Sequence, residues 1–405
     1  MDKPLVADFA TDWDHADPQW VADPYPIWDD LRQRCPVAHT ERYGGGWFPA
    51  THAGVSAIAN DTKNFTSRTV IVNNGRPMED ALPAPIGVAP PISSDPPFHK
   101  FARRLLLPAF APGPINALED QVRTLCNKLL DDMGDHEVVN GGTEYAQFIP
   151  TAVIRQMLGF PAKDEELFRE FVHIVIGSID LPVEERIVQF QPIEDYLVGQ
   201  IEDHQANPRD DLTSFLLDLE VNGEKLALEH VFGTMILVLI AGIDTTWSAI
   251  GSSLWHLAKN PDDLKRLVDE PDLMPIALEE FLRFYAPVTM ARLVKHDMEY
   301  LGCPMKEDDW ILLGFPAANR DPAAFEDAER FIVDRLENRH LAFGLGIHRC
   351  IGSNLARLEL RVALEEFIRR YPRFELAEPD AVTWAPGQIR GPRNLPLRVL
   401  ERLEA

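Results

Sequence analysis

The sequence predicts a mainly α-helical protein with small β-sheets, because helical periodicity fills most of the chain. Apolar residues recur at helical spacing almost throughout Ile115–Glu220. A proline-free stretch, Leu226–Lys259, predicts the longest helix, roughly 50 Å long at 1.5 Å per residue, and Asn260-Pro261 ends it. Strand-like alternation is confined to short segments such as Ala286–Val294.

The composition narrows the class of protein. The 405 residues permit one large domain or two to three ordinary ones, and length alone does not decide. A net charge of −25 argues against nucleic acid or an anionic membrane as a partner. No apolar run approaches the ~20 residues that span a bilayer, and no signal peptide is visible. The four cysteines lack framework spacing. We expect a soluble cytoplasmic protein.

The N-terminal quarter carries mixed signals. Residues 1–20 are acidic and aperiodic, which predicts a surface arm. A short helix is expected over Pro26–Arg34, followed by strands around Thr40–Phe48 with a tight turn at Gly44–Gly46. Val70–Pro97 holds seven prolines in twenty-eight residues with almost no periodicity. A loop of this length inside a compact domain is usually functional or disordered, and its apolar members predict that it covers an apolar site.

The segment Phe343–Gly352, F-G-L-G-I-H-R-C-I-G, cannot form a regular strand or helix. Its glycines allow a tight turn that lies close against a flat group. Cys350 precedes a predicted helix, Ser353–Arg370, whose N–H groups and dipole favour a thiolate. Gly352 removes a side chain where that helix approaches its neighbour. A lone thiolate of this kind suits the axial position of a haem iron.

Two other interpretations of this cysteine are open. A buried structural thiol is the commoner role for a lone cysteine. Zinc would find only two ligands here, His348 and Cys350, and the sequence contains no C-x-x-C pair.

Two further groups of polar residues stand out. His99 and Arg103 share one face of a predicted helix at i,i+4, where they would suit the two propionates of a haem or form a solvated surface pair. Asp244, Thr245 and Thr246 lie within the long apolar helix. A threonine there can bond the carbonyl four residues back, whereas a buried carboxylate is costly unless it is paired.

Four motifs resemble those of the cytochrome P450 family and occur in the order and spacing of that family. The resemblance covers the chain from about Pro24 to Leu400. The cysteine segment matches F-x-x-G-x-x-x-C-x-G at every fixed position, and A-G-I-D-T-T at 241–246 matches the oxygen-activating A/G-G-x-D/E-T. D-P-P-F-H-K-F-A-R at 95–103 resembles D-P-P-x-H-x-x-x-R. E-x-x-R occurs at Glu280 and Arg283, with Arg330 as the expected third member of a structural cluster.

The resemblance implies one domain, residues 1–405, with a long central helix over a buried haem b (iron protoporphyrin IX). Cys350 becomes the axial ligand of the iron. Thr245 is expected to hydrogen-bond the oxygen being reduced, Asp244 to admit protons, and Gly242 to leave room for O2. The remaining cofactor-binding residues implied are His99, Arg103, Arg292, His348, Phe343, Gly344, Ala241 and Gly352.

The resemblance also implies monooxygenation of an apolar substrate. The pocket candidates are Val238, Val288, Thr289, Met290 and Ile389, with Ala241 beside them, which favours a small or medium neutral molecule. The same residues serve hydroxylation and oxidative O-demethylation. Phe168–Ile176 and Ile187–Ile201 would form a helix pair over the pocket, and Ala385–Pro396 its last turn.

Electrons are expected from a separate ferredoxin and its NAD(P)H-dependent reductase, because the sequence contains no flavin- or iron–sulfur-binding stretch. Arg349, Arg357 and Arg361 predict a basic patch that docks the ferredoxin. A peroxide-driven peroxygenase and a non-catalytic haem-based sensor or carrier are the alternatives. The intact Asp244-Thr245 pair argues against both.

Overall fold

The computed structural model describes residues 4–72, 88–164, 166–168, 170, 171, 174, 183–221 and 223–404. Helices dominate these residues and the strands form small sheets, which confirms the predicted fold class. The α-helices are α1 Pro18–Ala22, α2 Tyr25–Arg34, α3 His52–Asn60, α4 Phe98–Leu106, α5 Pro112–Asn116, α6 Glu119–Asp132, α7 Phe148–Met157, α8 Val183–Ala206, α9 Leu212–Asp218, α10 Leu228–Lys259, α11 Pro261–Asp269, α12 Met274–Phe284, α13 Phe315–Ala318 and α14 Ser353–Arg370. Short 3-10 turns occur at Arg42–Gly44, Ala162–Asp164, Pro271–Leu273, Gly346–His348 and Pro379–Ala381, and a π-helical turn at Gly141–Ala146.

In the described ranges the strands assemble into four small sheets. They are β1 Val37–Thr40, β2 Gly46–Pro49, β3 Phe65–Thr66, β4 Val138–Asn140, β5 Glu220–Val221, β6 Glu224–Lys225, β7 Met290–Val294, β8 Met298–Tyr300, β9 Cys303–Met305, β10 Trp310–Leu313, β11 Arg373–Leu376 and β12 Pro396–Glu401. The largest sheet has the order β1-β2-β10-β7-β3, in which β10 runs parallel to β2 and antiparallel to β7. A second sheet has the order β11-β12-β4, and β5-β6 and β8-β9 are hairpins.

The long helix α10 is the centre of the main hydrophobic core. It spans 32 residues, and the N–H of Asn260 donates to the carbonyl of His256 where the helix ends, because Pro261 cannot continue it. Leu239, Trp247 and Leu254 each expose 2% or less of their surface. By length and composition, α10 is the single helix in the described part of the chain that could cross a membrane, but 61% of its most apolar window is buried inside the protein. Its hydrophobicity therefore serves the core.

The prediction of a surface arm over residues 1–20 was wrong. From Pro4 onward this segment packs onto the large sheet, with Trp13 fully buried and Trp20 only 4% exposed. Asp17 caps α1 by accepting from the N–H of Gln19, and it also accepts from the N–H of Val6. Irregularly spaced tryptophans anchor this acidic segment without any helical or strand period to reveal it.

The structure describes only parts of the segments that were predicted to lie over the pocket. Residues 73–87 of the proline-rich loop lie outside the described residues, as does most of Phe168–Ile176. Where the loop resumes, its backbone lies against α10: the hydroxyl of Thr234 donates to the carbonyl of Pro90 at 3.4 Å. The predicted helix Ile187–Ile201 lies within α8, and its Tyr196 ring contacts Phe168 and Phe171.

Candidate active site

The cysteine loop is held by positive backbone angles and by close contact with α3. Gly344 and Gly346 both have φ near +64°, a conformation that side chains with a Cβ disfavour. A Cβ on Gly346 would lie 2.9 Å from Oδ1 of Asn60, so the loop also needs glycine for space. The N–H of Cys350 donates to the carbonyl of Phe343 at 2.8 Å and closes the turn. These contacts fix the position of the sulfur.

The environment of Cys350 combines accessibility with burial of the sulfur. The residue is exposed as a whole, yet burial of its sulfur raises the pKa of the thiol. The N–H of Gly352 and the charges of Arg103, Arg349 and Arg357 act in the opposite direction but do not outweigh burial. The protein alone therefore favours the thiol, contrary to the sequence expectation, and a bound metal cation would supply the missing preference for thiolate.

The sequence predicted that Gly352 allows α14 to approach a neighbouring element, and this prediction was wrong. The nearest atom that a Cβ at this position would meet is Sγ of Cys350, at 3.9 Å. The glycine therefore leaves space beside the sulfur.

Four donors gather beside this loop, and we call them the four-donor cluster: His99 and Arg292, which are buried, and Arg103 and His348, which are partly buried. The rings of His99 and His348 lie 4.3 Å apart, and Arg103 donates to the carbonyl of Arg349 at 2.6 Å. Arg292 is 5% exposed and donates to the carbonyl of Ala291. Burial, followed by Arg292, His99 and Arg103, lowers the pKa of His348 to about 2.

The four-donor cluster lacks matching negative charge. Asp95 is the nearest acid, but it already pairs with Lys295 at 3.4 Å and accepts from the hydroxyl of Thr66 and the N–H of Ser67. Within the described residues, Nε2 of His99 is buried with no hydrogen-bond partner. Buried cations and donors of this kind are stable only when an anion completes them. The two propionates of a haem would supply this negative charge and these acceptors.

The acid–alcohol pair lies in the middle of α10. The hydroxyl of Thr245 donates to the carbonyl of Ala241 at 2.8 Å, the back-bond open to any helical threonine. Asp244 is fully buried and pairs with Arg393, whose guanidinium lies 2.6 Å from Oδ1. The costly carboxylate therefore has a partner, which comes from the turn at 385–396.

Gly242 does not provide room for O2. A Cβ at this position would lie 2.4 Å from Cδ1 of Ile154 on α7. The glycine instead lets α7 pack closely against α10, while the neighbouring Ala241 is exposed in the middle of the helix. Leu237 and Ile240, on the same side of α10 as Ala241, are partly accessible.

The pocket candidates differ in accessibility. Val238 is 6% exposed and belongs to the main core. Val288 forms an isolated bridge with Ile389, and Met290 is partly accessible. The hydroxyl of Thr289 donates to the carbonyl of Gln388 at 3.1 Å, so it is already engaged.

Glu280 and Arg283 form a buried ion pair with two contacts of 2.7 Å, and both side chains are fully buried. The prediction that Arg330 is the third member of this cluster was wrong. Its side chain is exposed and pairs with Asp327, and only its carbonyl reaches Arg283. Arg335 takes the place instead, at 3.1 Å from Glu280. Both arginines follow the same short loop, and no periodicity distinguishes them in the sequence.

Two of the three arginines in the predicted basic patch are neutralised. Arg357 makes two contacts with Glu279, at 2.6 and 2.8 Å. Arg361 pairs with Glu119 and Glu365. Arg349 is exposed.

The sequence analysis missed Glu359, a second buried acid beside the long helix. It lies on α14, is 1% exposed, and receives a hydrogen bond from Thr246, the neighbour of Thr245. Burial raises the pKa of Glu359 to about 8, and its Oε1 has no hydrogen-bond partner among the described residues. The signal was a glutamate on the apolar stripe of α14, between Leu355 and Val362.

Comparisons with known proteins identify the class. Residues 151–383 match the family model for cytochrome P450. The chain is 33% identical over 310 residues to the polyketide biosynthesis cytochrome P450 PksS of Bacillus subtilis, covering 76% of each protein. It is 29% identical to the mycinamicin IV hydroxylase/epoxidase of Micromonospora griseorubida, covering 91% of this chain and 94% of the relative.

Solved structures agree with this result. CYP109E1 of Bacillus megaterium, determined in complex with testosterone, superposes with a TM-score of 0.85 at 30% identity, covering 94% of this chain and 98% of the other. The chain belongs to the cytochrome P450 family, and the resemblance of its motifs is confirmed. It is an oxidoreductase of the P450 monooxygenase class, and membership implies a haem.

Proposed function

We propose that this protein is a ferredoxin-dependent monooxygenase that acts on a neutral, apolar organic molecule. One atom of O2 enters a C–H bond of the substrate as a hydroxyl group. The other atom leaves as water, with two electrons from NAD(P)H and two protons. The observation that carries this proposal is the acid–alcohol pair in the middle of α10, where Thr245 is hydrogen-bonded to Ala241 and Asp244 is paired with Arg393.

Five side chains would hold the haem. Cys350 would ligate the iron, and His99, Arg103, Arg292 and His348 would bind the propionates. When bound, the haem supplies the chemistry that activates oxygen and cleaves the O–O bond.

Other residues of the loop and helix would shape the cofactor site. Phe343, Gly344 and Gly352 would contact the haem on the cysteine side, and Ala241 would face it from α10. Phe343 is itself held by the guanidinium of Arg357, 4.5 Å from its ring centroid. The ion pair between Arg357 and Glu279 thus supports the cysteine loop, which argues that this arginine is structural.

Thr245 and Asp244 would deliver protons to the oxygen that is reduced during turnover. Because the Thr245 hydroxyl donates to the carbonyl of Ala241, its oxygen keeps lone pairs that accept a further hydrogen bond. Asp244, next to it in the sequence, would carry protons inward from solvent. General acids in this position typically contribute about 10²–10⁴-fold to a rate.

The substrate would be bound by shape rather than by charge. Leu237, Ile240, Val288, Met290 and Ile389 are apolar and partly accessible. The Thr289 hydroxyl is taken by the Gln388 carbonyl, so the candidate residues offer no free polar group. We therefore propose a small or medium neutral molecule, such as a terpenoid, an aromatic ether or a macrolide precursor, and either hydroxylation or oxidative O-demethylation.

The electron donor would be a separate ferredoxin with its NAD(P)H-dependent reductase. No flavin- or iron–sulfur-binding stretch occurs in the sequence. With Arg357 and Arg361 engaged by glutamates, Arg349 is an exposed cation of the ligand loop, and we propose that it contacts an acidic donor. We also propose a single cytoplasmic domain, residues 1–405, and the acidic composition argues against a membrane or nucleic-acid partner.

Thr245→Ala tests the proposal. We expect folding and substrate binding to survive while NAD(P)H consumption continues, with oxygen released as hydrogen peroxide instead of entering product. The measurement is the ratio of product to NAD(P)H consumed, with peroxide assayed in parallel.

Thr151→Ala is the matched control, because the Thr151 hydroxyl makes the same back-bond, to Gln147 at 2.7 Å. Either alanine variant should lose about 0.5–1.5 kcal/mol of stability as one hydrogen bond disappears. A Thr245→Ala variant as fully coupled as Thr151→Ala would reduce Thr245 to a structural residue.

A further inference from the structure

Arg393 links the surface of the protein to its buried acid. The carboxylate of Asp244 is fully buried, whereas the side chain of Arg393 keeps 19% of its surface exposed. The guanidinium lies 2.6 Å from Oδ1 of Asp244, 3.1 Å from the hydroxyl of Ser248, and 4.2 Å from the ring centroid of Trp247. One side chain therefore spans the distance between a buried carboxylate on α10 and solvent.

The backbone that carries Arg393 is fixed against α10. A Cβ on Gly391 would lie 2.4 Å from Cβ of Ser248, and a Cβ on Gly251 would lie 3.0 Å from Cγ of Pro392. The N–H of Arg393 donates to the carbonyl of Thr383 at 2.7 Å. Because Gly391 and Gly251 let the turn lie directly against the helix, the guanidinium reaches Asp244 from a rigid base.

Exchange of protons between Asp244 and solvent is restricted by this arrangement. An arginine stays protonated in proteins and cannot relay a proton by giving up its own. A carboxylate that is ion-paired and fully buried must part from its partner, or share its hydrogen bonds with water, before it accepts a proton. Arg393 occupies the side of Asp244 that reaches the surface.

We propose that Arg393 is the positioning residue of proton delivery: it holds Asp244 inside the helix and controls when the carboxylate meets solvent. Asp244 takes a proton from water on the solvent side and passes it inward toward Thr245, while Arg393 keeps all of its own protons. This inference rests on the proposed role of Asp244. It places the control of that role in the C-terminal turn, whose Ile389 pairs with the pocket candidate Val288.

The experiment is a double-mutant cycle of Arg393→Gln and Asp244→Asn in the holoenzyme, with turnover measured in H2O and D2O. Both single variants should turn over about tenfold more slowly or worse, with an altered solvent isotope effect and an unchanged ratio of product to NAD(P)H. The double variant should be no slower than Asp244→Asn alone, because the two residues act in one step.

A second readout does not depend on turnover. The thermal unfolding midpoint of the holoenzyme should fall for Arg393→Gln in the parent and should fall much less in the Asp244→Asn background. Arg393→Lys, which keeps the charge, covers the case in which the glutamine variant does not fold, and it should restore part of the isotope effect.

Arg390→Gln is the matched control. Arg390 lies in the same turn, stacks at 4.2 Å on the ring of Trp384, and donates to the carbonyl of Ala22. It should lose stability without any change in the solvent isotope effect.

The outcomes separate the two claims. If Asp244→Asn itself leaves turnover and isotope effect unchanged, the proposed role of Asp244 fails. If Asp244→Asn is slow but Arg393→Gln changes only stability, as Arg390→Gln does, the inference about Arg393 is overturned. Rate losses that multiply in the double variant would also overturn it, because they would show that the two residues act independently.

Discussion

Two groups of arginines in this protein differ in how their charge is balanced. In the first, which we call the Glu280 cluster, the carboxylate of Glu280 accepts from Arg283, Arg335, Asn338 and the N–H of Ile332. Arg283 also donates hydrogen bonds to the carbonyls of Asn319, Ala328 and Arg330. Acid and donors thus match, and the cluster is complete within the chain.

The four-donor cluster has the opposite character. Arg292 and Arg103 donate to backbone carbonyls, and no carboxylate lies within ion-pair distance of either in the ranges that the structure describes. Burial lowers the pKa of Arg292 to about 10, since the charge of Asp95 compensates only in part. A cluster that is complete stabilises the fold, whereas one that lacks anions is organised for a ligand that brings them.

The largest effect should follow from breaking the complete cluster. Arg283→Gln leaves Glu280 with too few donors in a fully buried position, which should cost about 3–5 kcal/mol of unfolding free energy. Denaturant unfolding monitored by circular dichroism measures this. A loss below about 1 kcal/mol would show that Arg335 alone satisfies Glu280, and the two clusters would then differ less than their geometry indicates.

Arg292→Gln should act in the opposite way on the haem-free protein. Removing an unbalanced buried cation should leave the unfolding free energy of that form unchanged or higher. Haem binding should weaken by about 1.5–3 kcal/mol, as for a lost charge-assisted hydrogen bond. Transfer of haem to an acceptor protein measures the second effect. If the haem-free form is destabilised as strongly as by Arg283→Gln, Arg292 belongs to the fold rather than to a ligand site.

Glu359 extends the comparison of balanced and unbalanced buried charges, because it is a buried acid without a cation. The expected effect on stability is smaller than for the two arginines. Its folded-state pKa is raised to about 8 from the ordinary value of 4.5, so the folded protein binds the extra proton. The stability that this proton provides is present below about pH 4.5 and is lost as the pH rises through about 8. Glu359→Gln should therefore remove a fall of at most about 1.4 kcal/mol per pH unit from the parent curve.

The control for this experiment lies on the same helix. Burial acts to raise the pKa of Glu366, but hydrogen bonds from Arg369 and Arg123 outweigh it and lower the pKa. Its contribution is lost only as the pH falls below the usual range of a carboxyl, so Glu366→Gln should shift the stability curve between pH 5 and 8 without changing its slope. Equal slopes for the parent and Glu359→Gln would mean that Glu359 is ionised in the folded protein.

Local sequence signals predicted the helices well. The cysteine helix Ser353–Arg370 has the predicted bounds, and the long helix begins two residues later than expected and ends at Lys259 as predicted. Both are bounded by glycine or proline and carry an unbroken apolar pattern, so neighbours along the chain decide where they end.

Partners distant along the chain could not be predicted. The partner of Asp244 is 149 residues away, and Arg335 rather than Arg330 completes the Glu280 cluster from a loop without periodicity. Trp13 is buried in a segment whose acidic composition indicated solvent. In each case the decisive contact is tertiary, and a pattern of residue types shows that a buried charge needs a partner without showing which one.

The most direct test of the account is the spectrum of the reduced carbon monoxide complex. The parent should show the strongly red-shifted Soret band of thiolate ligation, and Cys350→His should move that band to the position of histidine-ligated haem. Cys303→Ser, which changes a half-buried thiol on β9, should keep the parent spectrum. A thiolate-type band that persists in Cys350→His would contradict the assignment of Cys350 as the ligand, and with it the arrangement of the site around this loop.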